Sequence, residues 1–343
     1  MNKRTKVRIG IIGMGVMGSM YARLVKENAE AELVACCDID RNRRKEKFDQ
    51  FLVPTYGDAE IMMSKESLDA VLITTPDDLH LQPVLQAADN NLHLMIEKPL
   101  SVDLNEAVQM KIVTSESNKI AMMAHVFRWY APFVHVKTKL ESKEFGTPLS
   151  MNMRIDDRIF VPTKMLRWAE KTTPGWFLLS HAVDLANWYA ESEPVSVYAY
   201  GVKEKLLSLN VDTYDLIHMM VTYRNGFVAS LEACWILPNS LPTMSGSWCT
   251  VVSSEGSHYI NVSDQMIQQV GEVYETPPTI RMDMYGRLLG LQSFMFQSFI
   301  DSILHGKEVI SNINDGVEVV KILKSAHKSI KSGNVELIKI NNE

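Results

Sequence analysis

The sequence predicts an α/β chain of two domains, a doubly wound parallel sheet followed by an α+β part built on a mainly antiparallel sheet. Three observations predict it. Over the first third, short aliphatic runs alternate with amphipathic stretches, the rhythm of βαβ units. After about Phe127 this gives way to strands with a period of two. A length of 343 residues also exceeds what one hydrophobic core usually serves.

Taken in order, residues 7–12, 33–37, 70–74, 92–96 and 120–124 are apolar enough for buried parallel strands. Between them, 17–26, 41–51, 79–90 and 104–115 carry helical spacing, the last entered through a Ser101 or Asp103 cap. Beyond Phe127 the pattern predicts a helix over 133–142, a Gly146-Thr147-Pro148 turn, and strands at 195–200, 216–223, 228–235 and 249–253. Asn225-Gly226 between two of these strands is the pair that a type I′ hairpin turn favours. Helices over 292–304 and 315–331 and a closing strand over 335–340 complete the chain. The expected domains are 1–127 for a cofactor, 128–310 for substrate and self-association, and a packing segment over 311–343. No internal repeat or low-complexity linker interrupts them.

Hydrophobic residues at 46% and charged ones at 22% are the values of a folded enzyme, and a net charge of -6 argues against nucleic acid as partner. The four cysteines have neither metal-ligand spacing nor the density of a disulfide framework, so no metal is expected and a reducing cytoplasm fits. Residues 1–6 are basic, but the apolar stretch behind them is broken by Gly10, Gly13, Gly15 and Gly18 and has no signal cleavage site. No apolar run is long enough to cross a membrane. The 20 methionines suit core and interface packing.

The most specific local chemistry is Gly13-Met14-Gly15-Val16-Met17-Gly18, which follows the first strand and opens the first helix. Gly13 permits a tight turn, Gly15 lets a pyrophosphate approach the backbone, and Gly18 allows close helix–strand packing. The N–H groups of Val16, Met17 and Gly18 at the helix start supply donors for the phosphates. Asp38 stands twenty positions after Gly18, at the end of the second strand, where a carboxylate bonds ribose hydroxyls. This is the Rossmann pattern for a dinucleotide. Asp38 repels a 2′-phosphate, so NAD is favoured over NADP. Arg41, Arg43 and Arg44 lie close behind and read as a solvated helix face.

Thr75-Pro76 with His80 follows the third clear strand, and Glu97-Lys98-Pro99 follows the fourth. Both leave carboxyl ends of strands, the edge where open α/β sheets bind ligands, which brings Thr75, Pro76, His80, Glu97 and Lys98 to the cofactor. With the glycine motif and Asp38, these residues resemble the Gfo/Idh/MocA oxidoreductases, over nearly the whole chain. Phe145-Gly146-Thr147-Pro148, His181 with Asp184, and Asp315-Gly316 are similar to the family pattern as well. The resemblance implies a second domain with a large open sheet whose outer face makes subunit contacts, hence a homo-oligomer, dimer or tetramer.

The resemblance also exposes a departure. Many family dehydrogenases carry an aspartate four residues before the histidine, and Phe177 stands there. Lys98 and His181 are left as the catalytic pair. His181 has the pKa range of a base for a substrate hydroxyl, and Lys98 the charge to stabilise the alkoxide. Substrate contacts are expected from Lys98, His125, Arg128, Arg154, Arg158, Trp168, Phe177 and His181, an aromatic and cationic set suited to a sugar ring with polar or anionic substituents. The expected activity is NAD-dependent oxidation of a secondary alcohol of a sugar, polyol or sugar derivative. Two alternatives stand beside it: an NAD-dependent glycoside hydrolase working through transient oxidation and elimination, and a non-catalytic NAD-binding regulatory protein.

Overall fold

The computed structural model describes residues 6–338. The chain forms two compact units, one running up to Val126 and resuming at Arg281–Val320, the other comprising Phe127–Ile280 and the chain from Lys321 on. Residues 281–310, expected in the second domain, therefore belong with the first unit. Tertiary pairing causes this return, and a linear hydropathy pattern does not express it.

The first unit alternates strand and helix: β1 (Val7–Ile12), α1 (Val16–Glu27), β2 (Ala31–Cys37), α2 (Arg41–Phe51), β3 (Thr55–Tyr56), α3 (Ala59–Lys65), β4 (Ala70–Ile73), α4 (Leu81–Asp89), β5 (His93–Ile96), α5 (Leu104–Ser115) and β6 (Ala121–Met123). Its six strands are all parallel, in the order β3-β2-β1-β4-β5-β6. Consecutive buried residues Ile9, Gly10, Ile11 and Ile12 in β1 show that both faces of the sheet are covered. Asp40 caps α2 by accepting from the Asn42 and Arg43 N–H groups. Of the two expected caps for α5, Asp103 holds the position, while Ser101 accepts the Asp103 N–H. β3 and α3 are too short to show a period in the sequence.

The second unit contains α6 (Ala131–Glu141), β7 (Pro148–Arg158), α7 (Ser180–Ala190), β8 (Pro194–Val202), α8 (Lys205–Ser208), β9 (Leu216–Tyr223), β10 (Val228–Leu237), β11 (Ser245–Ser253), β12 (Gly256–Asn261) and a small hairpin, β13 (Gln269–Val270) with β14 (Tyr274–Glu275). The hairpin β15 (Arg281–Met284) and β16 (Arg287–Gly290) and helix α9 (Leu291–His305) return to the first unit, where the Leu288 N–H donates to Glu27 at 2.7 Å and Asn28 donates to Gln297 at 2.7 Å. Helix α10 (Ile313–Ser332) contains the division between units, and β17 (Glu336–Leu337) is the described part of the expected closing strand, whose residues 339 and 340 lie outside the described residues. Among the described residues no helix is long and apolar enough to cross a membrane.

The large sheet of the second unit runs β12-β11-β7-β10-β9-β8-β17. It is antiparallel throughout except where β7 and β10 pair in parallel. Along β7, Met151, Met153 and Ile155 are buried on the face that packs on α7, and Arg154 projects to the other. The turn between β9 and β10 differs from expectation. A type I′ turn needs positive φ at both central residues, yet Asn225 is absent from that region and only Gly226 enters it, at +86°. The Gly226 N–H donates to the Tyr223 carbonyl at 3.0 Å and the Tyr223 N–H to Phe227 at 2.9 Å, a three-residue loop with a left-handed glycine. Asn225 is instead spent on the Ala190 carbonyl, at 2.9 Å.

One buried histidine ties α10 to the segment that leads into α7. His327 Nδ1 donates to the Leu323 carbonyl at 2.7 Å, Nε2 accepts from the Thr173 hydroxyl at 2.8 Å, and the ring stacks on Trp176 at 4.9 Å. These bonds use the neutral ring, and burial pushes its pKa down to about 4. The unfolded chain binds this proton at a higher pH than the folded one, so stability is full above about pH 6.5 and is lost as pH falls toward the folded value, by up to about 3 kcal/mol. His327→Gln should flatten that loss, and melting temperatures of both proteins from neutral pH down to about pH 4.5 check it.

Candidate active site

The glycine loop is shaped by contacts within the first unit. Gly13 has φ +91°, and a Cβ there would lie 2.8 Å from the Thr74 carbonyl group. At Gly18 a Cβ would stand 2.0 Å from the Gly13 carbonyl oxygen, so α1 starts in direct contact with the end of β1. Gly15 is different: its Cβ would meet nothing within 4 Å among the described residues. It is the N-cap of α1 and offers no capping side chain, which leaves the first-turn N–H groups of Val16, Met17 and Gly18 to a ligand. Val16 is 74% exposed and Ile39, beyond the end of β2, 86%, apolar surface that the protein leaves bare beside this loop. An open backbone cradle at a helix N-terminus, with apolar flanks, fits the pyrophosphate and adenosine of a dinucleotide.

Asp38 is buried and held rigidly. Its Oδ2 accepts from the Met14 N–H at 2.8 Å and from Arg43 at 2.9 Å, and its Oδ1 accepts from the Asp40 N–H at 2.9 Å. A carboxylate has about four acceptor positions, so the pattern leaves room for a further donor. The arginines are not merely a solvated face: Arg43 pairs with Asp38, and Arg44 donates to the carbonyls of Asp38 and Ile39.

The order of the sheet places a topological switch point between β1 and β4, flanked by the glycine loop and by Thr74-Thr75-Pro76. Thr74 donates to the carbonyl oxygens of Ile12 and Gly13, locking the two turns together. Thr75 donates to the Leu79 carbonyl at 3.1 Å. His80, expected at the cofactor, is a buried brace instead: its ring nitrogens lie 3.0 Å from the carbonyls of Leu100 and Thr75, joining the loops after β4 and β5. Glu97 is buried as well. Its Oε1 accepts from Tyr21 on α1 at 2.8 Å and its Oε2 from the Lys98 N–H at 3.2 Å, while Lys98 itself is half-buried. Glu97 therefore braces the loop that carries Lys98. Helical spacing places Tyr21 on the buried face of α1 but says nothing of how its hydroxyl is used.

His125, expected among the substrate contacts, is also buried in the first unit, with Nδ1 2.9 Å from the Ser311 hydroxyl. In the second unit, His181 lies in the first turn of α7 and stacks on Phe127 at 4.8 Å. Phe177, in the π-helical turn Gly175–Leu179 just before it, packs against Trp235 at 5.6 Å and Trp168 at 6.2 Å, so two of the expected groups, Phe177 and Trp168, belong to one aromatic cluster. Trp235 is buried and donates to Asp157 at 3.2 Å. Arg128 is committed elsewhere: its guanidinium makes a two-pronged buried pair with Asp184, at 3.0 and 2.7 Å. Arg154 pairs with Asp156 at 2.7 Å and lies over Trp248 on the sheet face away from α7, and Arg158 donates to the Leu241 carbonyl. Arg128 and Arg154 thus each neutralise a buried carboxylate. Among the described residues, the cysteines are all buried thiols, and none joins a metal-binding group.

The family model described as the oxidoreductase family, NAD-binding Rossmann fold, matches residues 7–125, and that of the same family's C-terminal alpha/beta domain matches 137–337. The chain belongs to the Gfo/Idh/MocA oxidoreductase family. This Gfo/Idh/MocA protein is 22% identical to an inositol 2-dehydrogenase of Salmonella paratyphi B over 97% of each chain. Its fold is similar to that of the scyllo-inositol dehydrogenase of Lactobacillus casei solved with NAD(H) and scyllo-inositol, with a TM-score of 0.82 at 17% identity over 97% of this chain and 99% of that one. It is similar also to the WlbA dehydrogenase of Bordetella pertussis in complex with NADH and UDP-GlcNAcA, with a TM-score of 0.80 at 17% identity over 98% of this chain and 100% of that one.

The glycines give a paired test. Gly15→Ala should fold with an unchanged melting temperature yet lose NAD affinity by about tenfold, or 1.4 kcal/mol. Gly18→Ala should destabilise the first unit outright. Calorimetric titration with NAD alongside thermal melts checks both.

Proposed function

We propose that the chain is an NAD-dependent dehydrogenase acting on a secondary alcohol of a polyol, a sugar or a sugar derivative. The observation that carries this is the Gly15 cradle and Lys98 on one carboxyl edge of the parallel sheet, with Lys98 fixed through Glu97 and Tyr21. The names of the relatives support a polyol, and the two ligand-bound neighbours, one with scyllo-inositol and one with a nucleotide-sugar acid, support the wider sugar class. The nicotinamide, when bound, supplies the hydride acceptor. His181 takes the proton of the substrate hydroxyl at a ring nitrogen, and the Lys98 ammonium donates a hydrogen bond to the oxygen as negative charge develops there. Phe177 and Trp168 offer aromatic faces to the C–H side of a ring. Asp38 favours NAD over NADP by accepting a ribose hydroxyl, with Arg43 drawing off part of its charge.

The buried cysteine thiols, with Cys36, Cys37 and Cys249 pushed up to about 12 by burial, support a reducing, cytoplasmic setting. Tyr198, Tyr200, Met220 and Tyr259, exposed on the large sheet, support self-association as a dimer or tetramer.

Near-ultraviolet absorbance of reduced nicotinamide, followed with NAD or NADP against free polyols, sugars, acidic sugars and their aryl glycosides, tests the reading. Absorbance should rise with a free polyol or sugar and faster with NAD. Lys98→Ala and His181→Ala should each lower kcat by about 100-fold or more while NAD still binds. Release of aglycone at constant absorbance would reassign the protein as an NAD-dependent glycosidase, and binding without any turnover as a regulatory protein.

A further inference from the structure

We infer that Tyr21 is a positioning residue for Lys98, acting through the Glu97 carboxylate. The inference rests on the reading of Lys98 as catalytic and goes beyond it, because Tyr21 belongs to the helix that opens at the cofactor cradle. Tyr21 lies on α1, three residues after Gly18, and its side chain is wholly buried. Its hydroxyl reaches Glu97 Oε1 at 2.8 Å, across from α1 to the end of β5. The other carboxylate oxygen holds the Lys98 N–H at 3.2 Å, and the Glu97 N–H is anchored to the Ile73 carbonyl of β4 at 2.9 Å. One carboxylate therefore fixes the backbone of Lys98 from one side and is itself fixed by a phenol from the other.

Donor and acceptor cannot exchange here. Burial and the facing Glu97 charge push the Tyr21 phenol well above its ordinary range, so it stays a donor. Burial also raises Glu97, opposed by Lys98, by the Tyr21 hydrogen bond and by His80. The charged or titratable groups around the couple are Lys98 beside it, His80 from the turn before α4, and Arg281 of β15, which faces Tyr21. With the hydroxyl gone, a buried carboxylate oxygen loses its donor, a loss that is relieved by taking up a proton or by rotating. Either change releases the Lys98 N–H and alters the charge that faces the Lys98 ammonium. A tyrosine that merely filled space would leave Lys98 as it was.

The test uses Tyr21→Phe, Glu97→Gln and the double variant of the full chain. The protein is reductively methylated with carbon-13, and the Lys98 resonance is assigned by its loss in Lys98→Arg. Tyr21→Phe and Glu97→Gln should each move the Lys98 resonance, and the double variant should move it no further than Glu97→Gln alone, the signature of residues acting as one unit. In turnover, kcat should fall by about tenfold while the KM for NAD changes by less than about twofold. Tyr21→His, which keeps a donor, should restore the resonance toward its original position. An unmoved Lys98 resonance in Tyr21→Phe, or shifts that add in the double variant, would overturn the inference. Should Tyr21→Phe not fold, Glu97→Gln with Tyr21→His still decides it. The resonance needs no substrate, so a protein without dehydrogenase activity would sink the proposed function and leave this readout standing.

Discussion

The approach of α1 to the end of β1 is the contact on which the first unit depends. With the start of the helix against the Gly13 carbonyl, at a separation that admits no side chain at Gly18, everything at that edge of the sheet falls into place. Thr74 can bridge the two turns, the first-turn N–H groups face outward, and Tyr21 arrives opposite Glu97. A single steric constraint thus aligns the glycine loop and the lysine loop, which are far apart in sequence. The geometry comes from packing, and the chemistry inherits it.

Buried charge is handled in both units by immobilising it. Asp38 is ringed by two backbone N–H groups and a guanidinium, Glu97 by a phenol and a backbone N–H, and Asp184 by the fork of Arg128. Each arrangement costs desolvation that a hydrophobic core would avoid, and removing one partner from such a pair typically costs about 3–5 kcal/mol. What the protein gains is a fixed direction for each group.

Much of this was legible in the sequence, and the reason differs from residue to residue. The glycine motif and Asp38 could be read because backbone geometry at a strand–turn–helix junction restricts the residue types that fit. Lys98 and Glu97 could be placed at a strand end because the parallel strands are apolar on both faces and end sharply. Polar side chains of the second unit resisted reading. Arg154 and Arg158 are cations on one strand, and nothing in composition tells which face or which neighbour each one takes. Arg128 and His125 were expected to meet a ligand and meet Asp184 and Ser311, partners separated from them by long stretches of chain. Phe177 was recognised as unusual, yet its packing against Trp235 depends on sheet register, which local pattern does not carry.

The route of the backbone has a consequence for how the molecule comes into being. Phe296, Phe299 and Ile300 of α9 are fully buried in the first unit, yet the ribosome makes them only after the whole stretch from Phe127 to Ile280 has been synthesised. During synthesis, the sheet that carries the glycine loop must wait with apolar surface uncovered until α9 is delivered. A fragment cut near Val126 would keep every residue of the nucleotide motif and still lack part of its own core. The unit is whole in space but divided in the gene, so splitting the protein at its most obvious seam would remove what closes it.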